Sequence, residues 1–336
     1  MISRYVFMRS ICAIVFATFA VLNAPKTAEA ACGKLTIAEM TWASAAVAAH
    51  MEKIILQKAY GCEVELVPGD TVPTSTSMAE RGEPDIAPEM WLISTRAVID
   101  RGVREGRLKM AGKILSDGGE EGWWVPKALV EKYPELTTLA AVLKRPDLFP
   151  DPEEPGMGRF YGCPSGWGCQ ITNENLFRGY KMKQARFALF DPGSGVGLAG
   201  AIAKAVNRGE PIFTYYWAPT ALLGKYPMVK LSGMKHEAKN WPCMTKPDCA
   251  TPAPNGFPPS EVVSVTTTKF AAQAPQAFAF IAKVSWPNAV VQKVLAWQDE
   301  NRADAEETAE YFLMNFKNVW QKWVPPGLAA RISKDL

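Results

Sequence analysis

The chain has 336 residues, with 37 Lys and Arg against 34 Asp and Glu and a formal net charge of +3. This length accommodates one large domain or two ordinary ones, and 48% hydrophobic with 21% charged residues is typical of a globular protein rather than a disordered one. The nearly balanced charge gives no electrostatic reason to expect binding to nucleic acid or to an anionic membrane. Only two histidines are present, which argues against multi-histidine metal sites and most histidine-based catalysis, so we expect no metal and no cofactor.

Residues 1–30 have the features of a secretory signal peptide. Two arginines precede an apolar run over residues 11–22, and Ala28-Glu29-Ala30 matches an A-x-A cleavage site. We expect an exported mature chain that starts at Ala31. An uncleaved membrane anchor is the alternative, although the apolar run is short for a membrane span.

Six cysteines remain when Cys12 of the signal peptide is set aside, and an even number in an oxidising compartment indicates disulfides. Six cysteines allow fifteen pairings, of which local spacing favours one. Two pairs are C-x5-C in turn-rich stretches, and the third pair precedes two strand patterns that would be neighbours in a parallel sheet. The favoured pairs are Cys163–Cys169, Cys243–Cys249 and Cys32–Cys62. A zinc site built from these thiols is the alternative.

The first part of the mature chain alternates strand and helix patterns. The predicted order is strand 34–39, helix 44–60, strand 63–67, helix 74–81 and strand 85–88. This β-α-β-α-β order predicts a parallel sheet with right-handed crossovers.

A second series follows an apolar segment over residues 118–136. Its predicted order is strand 158–163, helix 172–180, strand 187–190, a glycine-rich turn, helix 198–207 and strand 211–216. A proline-rich loop over 241–259 leads to strand 261–266 and to helices over 273–283, 289–297 and 303–323. We therefore predict an α/β protein of two units, with residues 31–122 plus 259–336 in the first and 123–258 in the second.

Four of the 11 tryptophans follow the carboxyl ends of predicted strands, and they come from both units. They are Trp42, Trp91, Trp167 and Trp217. Ligands bind beyond the carboxyl ends of strands in open parallel sheets, so we expect the four indoles to share one cleft. Core packing is the alternative for each of them taken singly, and we assign the other seven tryptophans to core, crossover or surface packing.

Indole faces attract large, weakly hydrated cations, and quaternary ammonium groups are the usual guests of aromatic cages. The loop from Cys163 to Cys169 adds a second element, because it leads into a predicted helix. The N–H groups of Gly168 and Cys169 would be free at that helix N-terminus and could bind an anion. A cage beside an anion site predicts a zwitterionic ligand with a trimethylammonium and a carboxylate group. A disulfide-closed surface turn is the alternative for this loop.

Three blocks carry a resemblance to a known family: Pro88-Glu89-Met90-Trp91, Gly162 to Cys169, and Tyr215 to Pro219. The sequence resembles the substrate-binding proteins of glycine betaine/proline betaine ABC transporters, the OpuAC-like family. The resemblance implies a type II periplasmic-binding-protein fold, with two α/β lobes and a hinge of two crossover segments. It also implies that Trp91, Trp167 and Trp217 form the cage and that the backbone of Gly168 and Cys169 binds the carboxylate, and Trp42 resembles an extra cage residue of the related choline-binding branch.

The sequence departs from this family at one position. Betaine-binding members often have W-T-P-x-H, whose histidine donates to the ligand carboxylate, whereas here Thr95 stands in the histidine's place. A hydroxyl can still donate, but without a positive charge. Choline, carnitine and dimethylsulfoniopropionate therefore remain alternatives to glycine betaine. Glu39 and Glu89, at strand ends near the tryptophans, could tune selectivity for cations or could bind local backbone donors.

The resemblance predicts a monomeric, non-enzymatic periplasmic receptor that delivers its ligand to an ABC transporter permease. A sensor-associated binding protein would use the same site with a different partner. A secreted hydrolase of choline-type substrates is an alternative of another class, but the two histidines do not suggest a nucleophile with its base.

Overall fold

The computed structural model describes residues 32–335, so the predicted signal peptide lies outside the described residues. Within the described range there are ten strands in two five-stranded sheets, flanked by helices. The strands are β1 Lys34–Met40, β2 Glu63–Gly69, β3 Ile86–Trp91, β4 Leu108–Gly112, β5 Glu120–Pro126, β6 Gly158–Tyr161, β7 Phe187–Phe190, β8 Phe213–Ala218, β9 Met228–Lys230 and β10 Val262–Thr267.

The α-helices range from single turns to five turns, and the longest is the first. They are α1 Ala43–Tyr60, α2 Thr71–Arg81, α3 Leu92–Arg104, α4 Lys127–Lys132, α5 Leu139–Val142, α6 Gly168–Gly179, α7 Gly195–Arg208, α8 Ala221–Lys225, α9 Trp241–Met244, α10 Thr268–Gln273, α11 Pro275–Ile281, α12 Asn288–Asn301, α13 Ala305–Asn315, α14 Lys317–Trp320 and α15 Pro326–Asp335. Two 3₁₀ turns cover Pro146–Leu148 and Ala238–Asn240. Among the helices of residues 32–335, none combines the length and the apolar character that crossing a membrane requires.

The first sheet has the order β2-β1-β3-β10-β4. Strand β1 pairs in parallel with β2 and β3, and β10 is antiparallel to both of its neighbours. Helix α1 makes the first crossover with an apolar face that includes Val47, Met51 and Ile55, all fully buried, and it ends at Gly61, which adopts the left-handed conformation that glycine tolerates best. The register of β1 on β2 brings the starts of the two strands together, and the Cys32–Cys62 disulfide joins them there.

The second sheet has the order β7-β6-β8-β5-β9. Strand β6 is parallel to β7 and β8, whereas β5 is antiparallel to β8 and β9. The apolar segment that contains Trp123 and Trp124 is thus strand β5 of this sheet. Trp123 is fully buried against Phe160, with ring centroids 4.7 Å apart, and its indole nitrogen donates to Asn173 Oδ1 at 2.6 Å. This ring fills the core of the second sheet rather than the cavity described below.

Two segments connect the sheets. The chain leaves the first sheet after β4 and returns to it with β10, and the two connecting segments pair with each other. The N–H of Gly119 donates to the carbonyl of Ser260 at 2.7 Å, and the N–H of Ser260 donates back to Gly119 at 2.9 Å. The two sheets are therefore linked at one place by a pair of adjacent backbone segments.

Several predicted boundaries differ from the observed ones. Helix α2 begins at Thr71 rather than at residue 74, because Pro73 falls in its first turn, where a missing N–H costs nothing. Helix α7 begins at Gly195 rather than at residue 198, because the Ser194 side chain accepts from Gly197 N and caps it. The pattern did not predict α3 or β4.

Two longer segments also differ from their predicted structure. The proline-rich stretch 241–259 was expected to be a loop throughout, but it contains the single-turn helix α9. The helix predicted over 303–323 is interrupted at Phe316, where α13 ends and α14 begins. Phe316 leaves helical geometry there, with φ −117° and ψ 40°, while its ring still stacks on Phe312 with centroids 5.6 Å apart.

Candidate functional site

A cavity lies between the two sheets, where strand ends of both face each other. The free space inside it is small, about 30 Å³. Elements of both sheets contribute side chains to its wall. The lining residues are Trp42, Thr71, Trp91, Ser94, Glu121, Trp167, Gly168, Cys169, Tyr215 and Trp217.

The structure brings all four predicted tryptophans to this cavity. Trp42 immediately precedes α1, Trp91 ends β3, Trp167 immediately precedes α6 and Trp217 lies in β8. The Trp167 ring is central: its centroid is 5.5 Å from that of Trp42 and 5.0 Å from that of Trp217, with interplanar angles of 71° and 81°. These near-perpendicular indoles contact one another and present faces and edges to the cavity, as the walls of an aromatic cage would.

Glu89 holds two of these indoles in place. Its Oε1 accepts from the indole nitrogen of Trp42 at 2.6 Å and from that of Trp91 at 3.0 Å, and it also accepts from the Ser44 hydroxyl at 3.0 Å. The Glu89 side chain is fully buried, and burial raises the pKa of its carboxyl, while the three hydrogen bonds act in the opposite direction. The sequence left two roles open for Glu89, and the structure shows it bonded to side chains, whereas Glu39 contacts His50 at 3.1 Å.

Trp167 reaches from the second sheet to residues of the first. Its indole nitrogen donates to the hydroxyl of Thr41 at 2.9 Å, and Thr41 in turn donates to Asp70 Oδ1 at 2.5 Å. On another side of the ring, a Cβ added to Gly195 would lie 2.8 Å from the Trp167 ring, so the start of α7 packs against it without a side chain. The orientation of this indole is thus set by both a hydrogen bond and close backbone packing.

The starts of three helices, α2, α3 and α6, meet in the wall next to Trp167. A Cβ added to Gly168, the first residue of α6, would lie 2.0 Å from Ser94 Oγ of α3 and 3.2 Å from Thr71 Cγ2 of α2. Within the described residues, the N–H groups of Gly168 and Cys169 have no hydrogen-bond acceptor, as expected for the first turn of a helix. Free N–H groups and the partial positive charge of helix N-termini are chemically suited to bind an anion.

The loop before α6 is closed by the Cys163–Cys169 disulfide. It also contacts the first sheet's elements, because the carbonyl of Gly166 accepts from Val72 N of α2 at 3.1 Å. The Cys243–Cys249 disulfide closes a ring of the same size in the proline-rich stretch. All six cysteines of the described chain are therefore engaged in disulfides, which removes the alternative of a zinc site made from their thiols.

Thr95 does not line the cavity. Its hydroxyl donates to the carbonyl of Trp91 at 2.9 Å, one helical turn back, and the side chain is buried. Ser94 lines the cavity instead. Because α3 starts directly after Trp91, neighbouring residues of its first turn point in different directions, and residue 94 is the one that faces the cavity.

Four lining residues were not predicted from the sequence: Thr71, Ser94, Glu121 and Tyr215. The Tyr215 hydroxyl donates to Glu121 Oε1 at 2.6 Å, and both side chains are buried. Burial raises the pKa of Glu121 to about 7, while the Tyr215 hydrogen bond and the charge of Lys230 act in the opposite direction. Tyr215 could have been found, since it shares a strand face with Trp217 two residues later, but Glu121 arrives from a strand whose pairing the sequence did not reveal.

A family model described as the substrate-binding domain of ABC-type glycine betaine transport systems matches residues 33–315. The chain belongs to this OpuAC family. Among curated proteins, the glycine betaine/proline betaine-binding periplasmic protein of Escherichia coli K12 is 22% identical over 226 residues, which cover 65% of this chain and 67% of the relative.

Solved structures support the OpuAC assignment at the level of the fold. A glycine betaine/L-proline-binding protein of Borrelia burgdorferi has a TM-score of 0.71 at 16% identity, over 89% of this chain and 99% of that chain. A choline-binding protein solved with choline has a TM-score of 0.69 at 15% identity, over 90% and 98% of the two chains. The lactococcal OpuAC protein solved with glycine betaine has a TM-score of 0.66 at 17% identity, over 87% and 100%. The predicted type II periplasmic-binding-protein fold is confirmed.

The OpuAC family is a family of periplasmic solute-binding proteins. Residues 32–335 hold no group of three or more His, Cys, Asp or Glu side chains arranged to bind a metal ion. The two histidines of this OpuAC-family chain are engaged elsewhere: His50 contacts Glu39, and His236 contacts the carbonyl of Gly256 at 2.9 Å. Neither histidine lines the cavity.

Proposed function

We propose that the protein is a periplasmic receptor that captures a quaternary-ammonium compatible solute of the glycine betaine class for an ABC importer. The observation that carries this proposal is the position of Trp167. Its ring contacts the rings of Trp42 and Trp217, and it is followed directly by the unpaired N–H groups of Gly168 and Cys169. Faces for a methylated cation and donors for a carboxylate therefore lie side by side in one cavity.

The expected affinity follows from the number of indole faces and N–H donors in the cavity. Each desolvated indole face contributes roughly 0.5–2 kcal/mol to binding a quaternary ammonium group. Three or four faces, with charge-assisted hydrogen bonds from two N–H groups, approach the ~8 kcal/mol of a micromolar dissociation constant. The carboxylate would lie at the start of α6, and Thr71 and Ser94 offer hydroxyl donors nearby.

Binding would act by favouring a closed arrangement of two lobes. Trp42 and Trp91 belong to the elements of the first sheet, and Trp167 and Trp217 to those of the second, so a ligand in the cage contacts both. The lobes would comprise residues 31–122 plus 259–336 and residues 123–258, and the paired segments at Gly119 and Ser260 would form the hinge. A ligand that contacts both lobes shifts the population toward the closed state, which the permease would recognise.

Residues 1–30 would direct export and be removed, and the mature chain would act as a monomer. The protein would bind its ligand without catalysis: no histidine lines the cavity, the lining hydroxyl of Ser94 donates to the Trp91 carbonyl, and Glu121 is bonded to Tyr215 rather than to a nucleophile. Hydrolysis of a choline ester by the purified protein would contradict this part.

Isothermal titration calorimetry tests the proposal on the mature protein. The ligands are glycine betaine, proline betaine, choline, carnitine and dimethylsulfoniopropionate, and we expect micromolar or tighter binding of at least one of them. Trp167→Ala should raise that dissociation constant at least about tenfold, since it removes a cage face and the bond to Thr41. The control is Trp297→Ala, which removes a ring stacked on Tyr311 at 4.0 Å and away from the cavity wall, and should leave the affinity unchanged. Absence of binding to all five ligands would reject the proposal.

A further inference from the structure

Glu121 is a buried carboxyl group in the wall of a cavity that otherwise consists of indoles, hydroxyls and backbone. Only 4% of its surface is exposed. Its Oε1 accepts from the Tyr215 hydroxyl, but its Oε2 is buried and has no hydrogen-bond partner within the described residues. An unpaired carboxylate oxygen is costly in such a place, unless a bound group pairs with it.

The backbone places this carboxyl among the cage tryptophans. Glu121 is directly opposite Trp217 in the antiparallel pairing of β5 with β8, so the two side chains are on the same face of the sheet. Two residues earlier, Gly119 packs against the Trp91 ring so closely that an added Cβ would lie 2.2 Å from a ring carbon. Glu121 therefore lies beside the Trp217 indole and lines the same cavity as Trp91, whereas the unpaired N–H groups belong to α6.

Few other charged or titratable groups act on this carboxyl. Tyr215 of β8 stays protonated, because burial and the adjacent Glu121 raise its pKa well above the usual value. Lys230 of β9 lies on the side of the exposed Glu120, to which it is paired at 2.6 Å. On the first-sheet side, Oε1 of the buried Glu89 accepts from the indole nitrogens of Trp42 and Trp91; its Oε2 is also unpaired within the described residues, but Glu89 does not line the cavity. The charge that a ligand meets beside Trp217 is thus set mainly by Glu121.

We propose that the Glu121 carboxyl group selects among quaternary-ammonium ligands by net charge, favouring cations such as choline when it is ionised and zwitterions such as glycine betaine when it is neutral. This inference rests on the proposed function. An ionised carboxyl attracts the whole charge of choline, but it attracts the ammonium of glycine betaine and repels its carboxylate. Because burial raises the pKa of this carboxyl to about 7, the preference should change within the range that a periplasmic protein experiences.

Calorimetric titration with choline and with glycine betaine, from about pH 5.5 to about pH 8.5, tests this inference. The measured quantity is the ratio of the choline to the glycine betaine dissociation constant. We expect this ratio to fall about tenfold as pH rises in the wild type, the change that corresponds to a coupling of one pKa unit. In Glu121→Gln the ratio should be independent of pH and should stay near the low-pH value of the wild type. The control is Glu120→Gln, which removes an exposed carboxylate from the adjacent position and should behave like the wild type.

A second measurement needs no variant at residue 121. Binding of a cation beside a carboxyl lowers its pKa, so choline binding near pH 7 should release protons, and glycine betaine binding should release fewer. Titrations in two buffers of different ionisation enthalpy give the number of protons released. Choline binding without proton release, or the same pH dependence in Glu121→Gln as in the wild type, would overturn the inference and leave the proposed function standing. Failure of both ligands to bind the wild type would overturn both.

Discussion

The indole nitrogen of Trp167 donates a 2.9 Å hydrogen bond to the hydroxyl of Thr41, and this bond joins the two halves of the cavity wall. Trp167 precedes a helix that packs with the second sheet, whereas Thr41 follows the first strand of the first sheet. The bond orients the ring that contacts both Trp42 and Trp217. It forms only when the two parts of the molecule are together, so we expect it to support the ligand-bound arrangement in particular.

Thr41→Val should therefore weaken ligand binding. A hydrogen bond of this kind contributes roughly 0.5–1.5 kcal/mol, which predicts a dissociation constant about two- to tenfold higher. We expect most of the change in the dissociation rate, because the variant destabilises the closed arrangement rather than the encounter. Stopped-flow measurement of intrinsic tryptophan fluorescence gives both rates. The matched variant Thr245→Val, in the proline-rich stretch, should leave them unchanged; equal effects of the two variants would argue against a special role for the Trp167–Thr41 bond.

The two disulfide rings of equal size allow a paired comparison. Two double variants make the comparison: serine replaces both cysteines of either Cys163–Cys169 or Cys243–Cys249. Each should lower the free energy of unfolding by roughly 2 kcal/mol, by the loop-entropy estimate. Only the first pair should also weaken ligand binding, by at least about fivefold, because the loop that carries Trp167 and Gly168 then has to be ordered on binding.

Urea denaturation gives the stability of both serine variants, and calorimetry gives their affinities. The second ring is a fair control because the Asn175 amide donates to the Met244 and Lys246 carbonyls and keeps that segment in place. Equal losses of affinity in the two variants would show that the effect comes from general destabilisation.

Glu89 can be tested by separating its hydrogen-bonding role from its charge. Glu89→Met leaves the indole N–H groups of Trp42 and Trp91 without their acceptor, and each unpaired buried donor costs about 1–3 kcal/mol. Glu89→Gln keeps an acceptor oxygen. We expect the methionine variant to lose both thermal stability and at least about tenfold in ligand affinity, and the glutamine variant to retain most of both. If the two variants bind ligand equally well, Glu89 does not position the cage.

The buried carboxyl group of Glu52 should make the stability of the fold depend on pH, independently of ligand binding. It lies in α1, fully buried, and neither carboxyl oxygen has a hydrogen-bond partner within the described residues. Burial raises the pKa of this carboxyl well above the usual value. The folded chain therefore holds a proton that the unfolded chain releases, so stability should fall as pH rises from the usual glutamate range toward the folded-state pKa.

Glu52→Met removes the titrating group with little change in volume, so its stability should decline less as pH rises. At about pH 8 its melting temperature should exceed that of the wild type by several degrees, given about 2–4 °C per kcal/mol for a domain of this size class. Thermal melts followed by circular dichroism from about pH 5 to about pH 8 measure this. Glu131→Gln, an exposed carboxylate in α4, serves as the control. Parallel curves for wild type and Glu52→Met would contradict the prediction.

The sequence alone was sufficient to predict the features that depend on the order of neighbouring strands, helices and cysteines along the chain. Alternation of strand and helix patterns placed Trp42, Trp91, Trp167 and Trp217 near the carboxyl ends of strands, and parallel pairing brings such ends to one edge of a sheet. The three disulfides of the structure are the pairs that spacing favoured. Two pairs close short loops, and the third joins the starts of neighbouring parallel strands, so each depends on short-range geometry.

Only the tertiary structure decided which polar groups accompany the indoles. Glu121 and Tyr215 are 94 residues apart and meet because β5 inserts antiparallel beside β8, and Trp167 and Thr41 are 126 residues apart and meet across the cavity. The choice of Ser94 over Thr95 as a lining residue depends on the residue at which α3 begins. A hydrogen bond requires two atoms to lie within a few tenths of an ångström of their proper distance, and the packing of whole sheets and helices determines that distance, which periodicity along the chain does not encode.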